Sequence, residues 1–313
     1  MYSIGIDMGG TTTKIGIVDA QGKVVKRASL KTAAYPVFTD YVDALHKVLL
    51  PLIEEVGGLS QIKGIGAGLP NGNYYSGCIE FAPNLPWEIK VPFAKLVSEK
   101  FHLPCTVTND ANAAAIGEMT YGVAKGMKHF IMITLGTGLG SGIIIDGKLV
   151  YGSDGFAGEL GHVVMVRHNG RPCGCGRTGC LEAYCSATGV ARTARTMLLE
   201  TNTASLLRSI DEDKISSKEV YEAAMQGDKL AIEVFNFTGK MLGEAFADFT
   251  TFSAPEAIIL FGGLAKAGDL LMQPIQISME QSMLPLWKGK VKLLFSQLPE
   301  DDAAVLGAAS LVQ

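Results

Sequence analysis

The feature that most constrains this chain is a strand, glycine tip and strand written twice. Residues 4–7 form a short apolar run, a Gly/Thr-rich stretch from Met8 to Lys14 follows, and residues 15–18 are apolar again. A turn over 19–23 then leads into a third strand over 24–30. The pattern returns over residues 131–148, where a constant offset sets Ile6 on Ile133, Gly9 on Gly136, Ile17 on Ile144 and Asp19 on Asp146. A repeat of this length implies two similar α/β domains that each bring a hairpin to a shared cleft. The tips, Gly9, Gly10, Thr11 and Thr12 in one copy and Gly136, Thr137 and Gly138 in the other, offer backbone N–H groups and hydroxyls to phosphate oxygens. Lys14 adds a point charge. Neither tip is a Walker loop, which ends in GK[ST] before a helix.

A second stretch, residues 158–182, packs two acids, a histidine and three cysteines together: GELGHVVMVRHNGRPCGCGRTGCLE. His162, Cys173, Cys175 and Cys180 form a set suited to a closed tetrahedral zinc site. The glycines between the cysteines let the backbone turn tightly enough for the sulfurs to converge. Three inert buried cysteines would not need that spacing. Glu159 and Glu182 flank the set, so a metal there would pin two carboxylates in one place.

Composition narrows the function classes. With 313 residues, 48% of them hydrophobic, the chain can bury a core without help from a metal. A net charge of −4 and no Lys/Arg run argue against nucleic acid or an anionic membrane as the main partner. No apolar stretch reaches about 18 residues, and the opening MYSIGIDMGG does not read as a signal peptide. Six cysteines, three of them in the metal set, fit a reducing compartment, so a soluble cytoplasmic protein is expected.

Between the hairpins, residues 38–57 have helical spacing, 62–66 read as a strand and 67–73 as an irregular loop. Residues 81–87 form a further loop that holds Asn84 among prolines. A helix over 91–100 and a strand over 105–108 precede Asn109-Asp110. One helix cap needs one such residue, and here there are two. A strand end beside a helix start is also where open α/β sheets meet ligands. Residues 183–199 and 217–250 read as helices, 257–261 as a strand, and Gly262-Gly263 as a turn that lets a flat group approach the backbone. A strand over 291–295 and a helix over 301–312 close the chain.

Together, DMGGTTTKIG, FAPNLPW, NDANAAAIGE, LGTGLGSG, AGELGH, CGCGRTGCLE and LFGGLA resemble the ROK family, within the actin-like, ribonuclease-H-like sugar kinases. The resemblance implies duplicated ribonuclease-H-like domains flanking a cleft, with a structural zinc knot. The expected division is a small domain over 1–115, completed by 301–313, and a large one over 116–300. It further implies transfer of the ATP γ-phosphoryl group to a hexose 6-hydroxyl, with glucose first and N-acetylmannosamine, N-acetylglucosamine or fructose as alternatives. By position, Asp110 is the implied base. Gly68, Asn84, Asn109, Glu159, His162 and Glu182 are the implied sugar site, Gly262 and Gly263 part of the adenosine pocket, and Asp7 a Mg²⁺ ligand through water. A homodimer is also implied. The family's sugar-responsive repressors place a helix-turn-helix ahead of the first hairpin, which here begins by Ile4, and actin-like filament proteins lack the zinc knot; both fall behind. Many family kinases read GxPGxxD in the first-domain loop; here the residues are Gly68-Leu69-Pro70-Asn71-Gly72-Asn73, with asparagine after the proline and no aspartate.

Overall fold

The structure is a computed structural model that describes every residue except Pro83 and Glu88, and every side chain besides those of Glu300 and Asp301. In chain order its main elements are β1 (Tyr2–Met8), β2 (Thr13–Val18), β3 (Val24–Leu30), α1 (Phe38–Glu55), β4 (Ile62–Leu69), β5 (Gly72–Asn73), β6 (Cys78–Glu80), β7 (Lys90–Val91), α2 (Phe93–Phe101), β8 (Cys105–Asn109) and α3 (Asp110–Tyr121). There follow β9 (Phe130–Leu135), β10 (Leu139–Ile145), β11 (Lys148–Leu149), α4 (Glu182–Cys185), α5 (Ala187–Glu200), α6 (Ser217–Met225), α7 (Lys229–Ser253), β12 (Ala257–Phe261), α8 (Asp269–Ser282), β13 (Lys292–Phe295) and α9 (Glu300–Ser310). Two five-stranded sheets share one strand order, β3-β2-β1-β4-β8 and β11-β10-β9-β12-β13, and β5-β6-β7 form a small third sheet. Among the described residues no helix is long and apolar enough to cross a membrane.

The chain divides into two compact units. The first comprises Met1–Lys128, Gly142–Gly158 and Ser296–Gln313. Its central strands β1, β4 and β8 run parallel, and β1 alternates Ile4 and Ile6 into a core with Tyr41, Phe93 and Val107. The opposite face of the sheet is closed by α9. The small residues of AAVLGAAS allow a very close approach: a Cβ at Gly66 would sit 1.8 Å from Ala308 O, and one at Gly5 would sit 2.0 Å from Val305 O. Only glycine on the strands and small residues on the helix admit that contact.

The second unit comprises His129–Ser141 and Glu159–Phe295. Parallel β9, β12 and β13 carry Ile131, Ile133, Ile258 and Leu260 into a core with Phe235 and Phe246 of α7. The expected helix over 183–199 is split at Ser186, whose hydroxyl accepts the Gly189 N–H at 3.1 Å and starts α5 afresh. The expected helix over 217–250 is likewise split. Gly227 turns with φ +83°, and Asp228 caps α7 by accepting the Ala231 N–H at 3.0 Å. The 67–73 stretch is more regular than its composition suggests, since β4 runs on to Leu69 and residues 72–73 pair with β6. Within the 81–87 loop, Pro83 lies outside the described residues.

Candidate functional site

In the first unit, the site residues gather at the carboxyl ends of parallel strands, where such sheets accept ligands. Asp7 near the end of β1 faces Lys14 on β2 and Gly68 on β4, and Gly68 in turn faces Thr108 on β8. Leu69 pairs with Asn109, the N-cap of α3, whose Oδ1 accepts the Ala111 N–H at 2.9 Å. Asp110 begins that helix and accepts the same N–H through Oδ1 at 2.7 Å. So Asn109 is the helix cap, and Asp110 is a carboxylate beyond what the cap needs.

Asp110 is exposed at the surface, with protein crowded around the rest of its carboxyl group. The crowding holds its carboxyl above the ordinary carboxylate value, and the Ala111 N–H pulls the other way. Burial and, after it, the charge of Asp110 raise Asp7 to about 6, against the opposing pull of Lys14. Two carboxylates that disfavour each other's ionisation are a donor set that a divalent cation would relieve.

The first glycine tip follows Asp7 in the chain, after Met8. The Gly9 N–H donates to Thr12 O at 2.9 Å, and a Cβ at Gly10 would fall 2.7 Å from Asn84 O. Asn84 is exposed and sits against the tip, while Thr11 and Thr12 face solvent.

In the second unit, the other tip is the meeting point. Gly136 N–H donates to Gly138 O at 3.0 Å, and the carbonyls of Gly136 and Thr137 are taken by the Ala187 N–H at 2.9 Å and the Thr188 hydroxyl at 3.0 Å. Those two contacts anchor the start of α5 to the hairpin. A Ser-x-Thr directly after the cysteine run was the sequence signal for them, and it reads first as an ordinary helix cap. Glu182 Oε2 accepts the Leu139 N–H at 2.9 Å and lies where a Cβ on Gly138 would be. The short turn 160–162 rests on the same hairpin, with the Leu160 N–H donating to Ser141 Oγ at 3.1 Å. Gly262, at φ +101°, lies against Leu135 at the base of the hairpin, whereas Gly263 has open space around it.

The four proposed metal ligands converge as expected. Zinc–sulfur bonds of about 2.3 Å in a tetrahedron set neighbouring sulfurs roughly 3.8 Å apart. Cys175 Sγ and Cys180 Sγ are 3.7 Å apart, Cys173 Sγ is 3.7 Å from His162 Nδ1, and all four donor atoms lie within 4.8 Å of one another. The donor set therefore fits a tetrahedral ion. The polypeptide between them is a tight ribbon, with bridges Val164 to Cys180 and Pro172 to Thr178. With Nδ1 turned to the sulfurs, His162 Nε2 lies 3.9 Å from Glu159 Oε2. The other Glu182 oxygen, Oε1, is 3.4 Å from Cys173 Sγ. Glu159, His162 and Glu182 are thus one cluster with the candidate metal ligands, and Gly68, Asn109 and Asp110 lie together in the first unit, where Asn84 sits against the Gly10 tip.

Comparison with known proteins gives a consistent picture. A family model described as ROK family matches residues 3–313. The chain is 36% identical to a glucokinase of Halalkalibacterium halodurans, covering 100% of this chain and 95% of that protein. It is 30% identical to a xylose repressor of Caldicellulosiruptor bescii, over 99% of this chain and 77% of that one. Among solved structures, it superposes with a TM-score of 0.82 on a ROK family glucokinase from Streptomyces griseus in complex with glucose and AMPPNP, at 35% identity over 100% of this chain and 99% of that one.

Proposed function

The chain belongs to the ROK family, and from that premise we propose that it is an ATP-dependent glucokinase that phosphorylates the glucose 6-hydroxyl. The observation that carries the reading is Asp110. It stands at the ends of three parallel strands beside Asp7 and Gly68, its proton held above the ordinary carboxylate range. A base of that kind can take the hydroxyl proton as the oxygen attacks phosphorus. Phosphoryl transfer otherwise asks for positioning and neutralisation of charge.

The remaining roles follow the chemistry of the groups. Gly68, Asn84, Asn109, Glu159, His162 and Glu182 offer the mixture of donors and acceptors that sugar hydroxyls need. The tips at Gly9, Gly10, Thr11, Thr12 and Lys14 and at Gly136, Thr137 and Gly138 present backbone and side-chain donors to the ATP phosphates. Gly262 and Gly263 border the adenosine. Asp7 would hold Mg²⁺ through water, an ion that offsets charge on the phosphates. His162, Cys173, Cys175 and Cys180 would hold a structural Zn²⁺, whose chemistry is confined to fixing the ligands' positions. His162 then keeps a fixed tautomer, with Nε2 left for a sugar hydroxyl.

The repeated strand order supports a duplicated ribonuclease-H-like architecture. A working division into 1–115 with 301–313, and 116–300, belongs to the same reading, as do a homodimer and a cytoplasmic location. The test is coupled ADP release across glucose, fructose, mannose, N-acetylglucosamine and N-acetylmannosamine. Glucose is expected to give the highest kcat/KM. A higher value for another sugar reassigns the substrate, and no turnover on any of them ends the kinase reading.

A further inference from the structure

The loop after β4 does something its irregular composition hides. Asn73 is 3% exposed, and its side chain is bonded at both ends of the amide. Oδ1 accepts the Tyr75 and Ser76 N–H groups at 3.0 and 3.1 Å, which shapes the local turn. Nδ2 reaches across to donate to Asp154 O at 2.6 Å. Gly155 lies so close that a Cβ there would fall 2.8 Å from the Asn73 amide, and it turns with φ +91°. Two further contacts join the same two segments. The Tyr75 hydroxyl donates to Gly152 O at 3.0 Å, and Tyr74 stacks on Tyr151 with centroids 4.2 Å apart at 14°.

Both joined segments are next to proposed sugar ligands in the chain. The first follows Gly68 and rests on β8, because a Cβ at Gly72 would lie 2.4 Å from Thr108 O, two residues before Asp110. The second segment continues directly into Glu159.

We propose that Asn73 is a positioning residue for the acceptor sugar: its amide bolts the 150–156 segment to the end of β8, so the chain that delivers Glu159 leaves the first unit from a fixed point. The bridge uses the donor end of the amide, and the local turn uses the acceptor end. The two roles are therefore separable. Asn73→Asp keeps an acceptor for Tyr75 and Ser76, but sets a carboxylate against Asp154 O and breaks the bridge.

The inference rests on the glucokinase reading, and steady-state kinetics of the full chain separate the two. A wild type that phosphorylates no sugar removes that reading. With an active wild type, N73D is expected to raise the glucose KM roughly tenfold or more, as displacement of a positioned group does. The ATP KM should stay within about twofold, since only one substrate's binding is altered. Gly155→Ala, which pushes on the same contact from the other side, should give the same split, and the double variant should be little worse than either single one. Should N73D not fold, Tyr75→Phe removes only the hydroxyl bond to Gly152 O and must shift the glucose KM in the same direction. A folded N73D or Y75F with the wild-type glucose KM overturns the proposal, because a residue that only shapes its own turn would behave in that way.

Discussion

Glu182 and Leu139 are joined by a single hydrogen bond, carboxylate Oε2 to backbone N–H at 2.9 Å, which ties the cysteine ribbon to the second glycine hairpin. The other oxygen of Glu182 sits 3.4 Å from Cys173 Sγ. A residue expected from the sequence to serve the sugar therefore also braces the hairpin expected to serve ATP. Glu182→Gln should consequently lower kcat/KM for glucose and raise the ATP KM together. Glu159→Gln, whose neighbour is His162 at 3.9 Å, should raise the sugar KM alone. Paired titrations of both substrates check this, and a purely sugar-specific E182Q would contradict it.

Disruption of the proposed zinc site should be a local event. Cys175 is exposed on its ribbon, whereas the second unit's core is built from β9, β12 and α7. Cys175→Ser should drop zinc stoichiometry by mass spectrometry and leave a cooperative thermal transition, unlike zinc fingers, which unfold without their ion. Because a shift of about 1 Å in a positioned group can cost 10²-fold in rate, glucose turnover should fall on that order. A zinc-free variant with normal glucose kinetics would show that the cysteine ribbon does not organise the site.

Asp110→Asn should keep the start of α3, since the amide oxygen can still accept the Ala111 N–H. Only the proton acceptor is lost. The expected fall in kcat is roughly 10²–10⁴-fold, with glucose affinity retained by calorimetry. Wild-type turnover would leave Asp110 as a helix-start residue and nothing more.

The role proposed for Asp110 also carries a pH dependence. Its folded-state pKa is raised, chiefly by burial, and the base must be ionised to act. Activity is therefore present above the raised value and lost as pH falls through it. The acid limb of kcat/KM should lie above the ordinary carboxylate range of about 4. It should disappear from the residual activity of D110N. A limb at about 4 in the wild type would count against Asp110 as the base.

The glycine tips separate steric from ligand effects. A Cβ at Gly10 meets Asn84 O and one at Gly138 meets Glu182, so Gly10→Ala and Gly138→Ala should disturb sugar and ATP binding together. A Cβ at Gly136 meets nothing within 4 Å, so Gly136→Ala should fold unchanged and any rise in its ATP KM reports blocked approach of the phosphates. An unaltered ATP KM in G136A would remove that tip from the phosphate site.

Much of this was legible because periodicity and residue chemistry pointed the same way. The strand over 24–30 was readable to the residue, and a histidine followed by glycine-spaced cysteines marked four residues that do converge on one point, His162, Cys173, Cys175 and Cys180. What stayed hidden were contacts made by ordinary residues. Nothing in a Gly-Asn-Tyr-Tyr run announces that Asn73 reaches Asp154, because that depends on which distant loop the fold delivers there. Ser186 and Asp228 hid two helix breaks, since each is polar in a stretch whose apolar spacing continues past it. Glu182 could be read from its motif, but its hold on Leu139 could not, because a backbone N–H carries no sequence signature.

The seat of α9 on β1 and β4 inverts the order in which the two units can be finished. Residues 1–128 leave the ribosome first, yet the face of their sheet around Gly5 and Gly66 stays uncovered until Val305 and Ala308 arrive. The second unit needs nothing later than Phe295, so the later-made unit can close before the earlier one. During that interval a nascent chain carries a bare, glycine-lined sheet face, the kind of surface on which chaperones act. A message truncated before residue 300 should accordingly yield a folded second unit beside a sticky, incomplete first one.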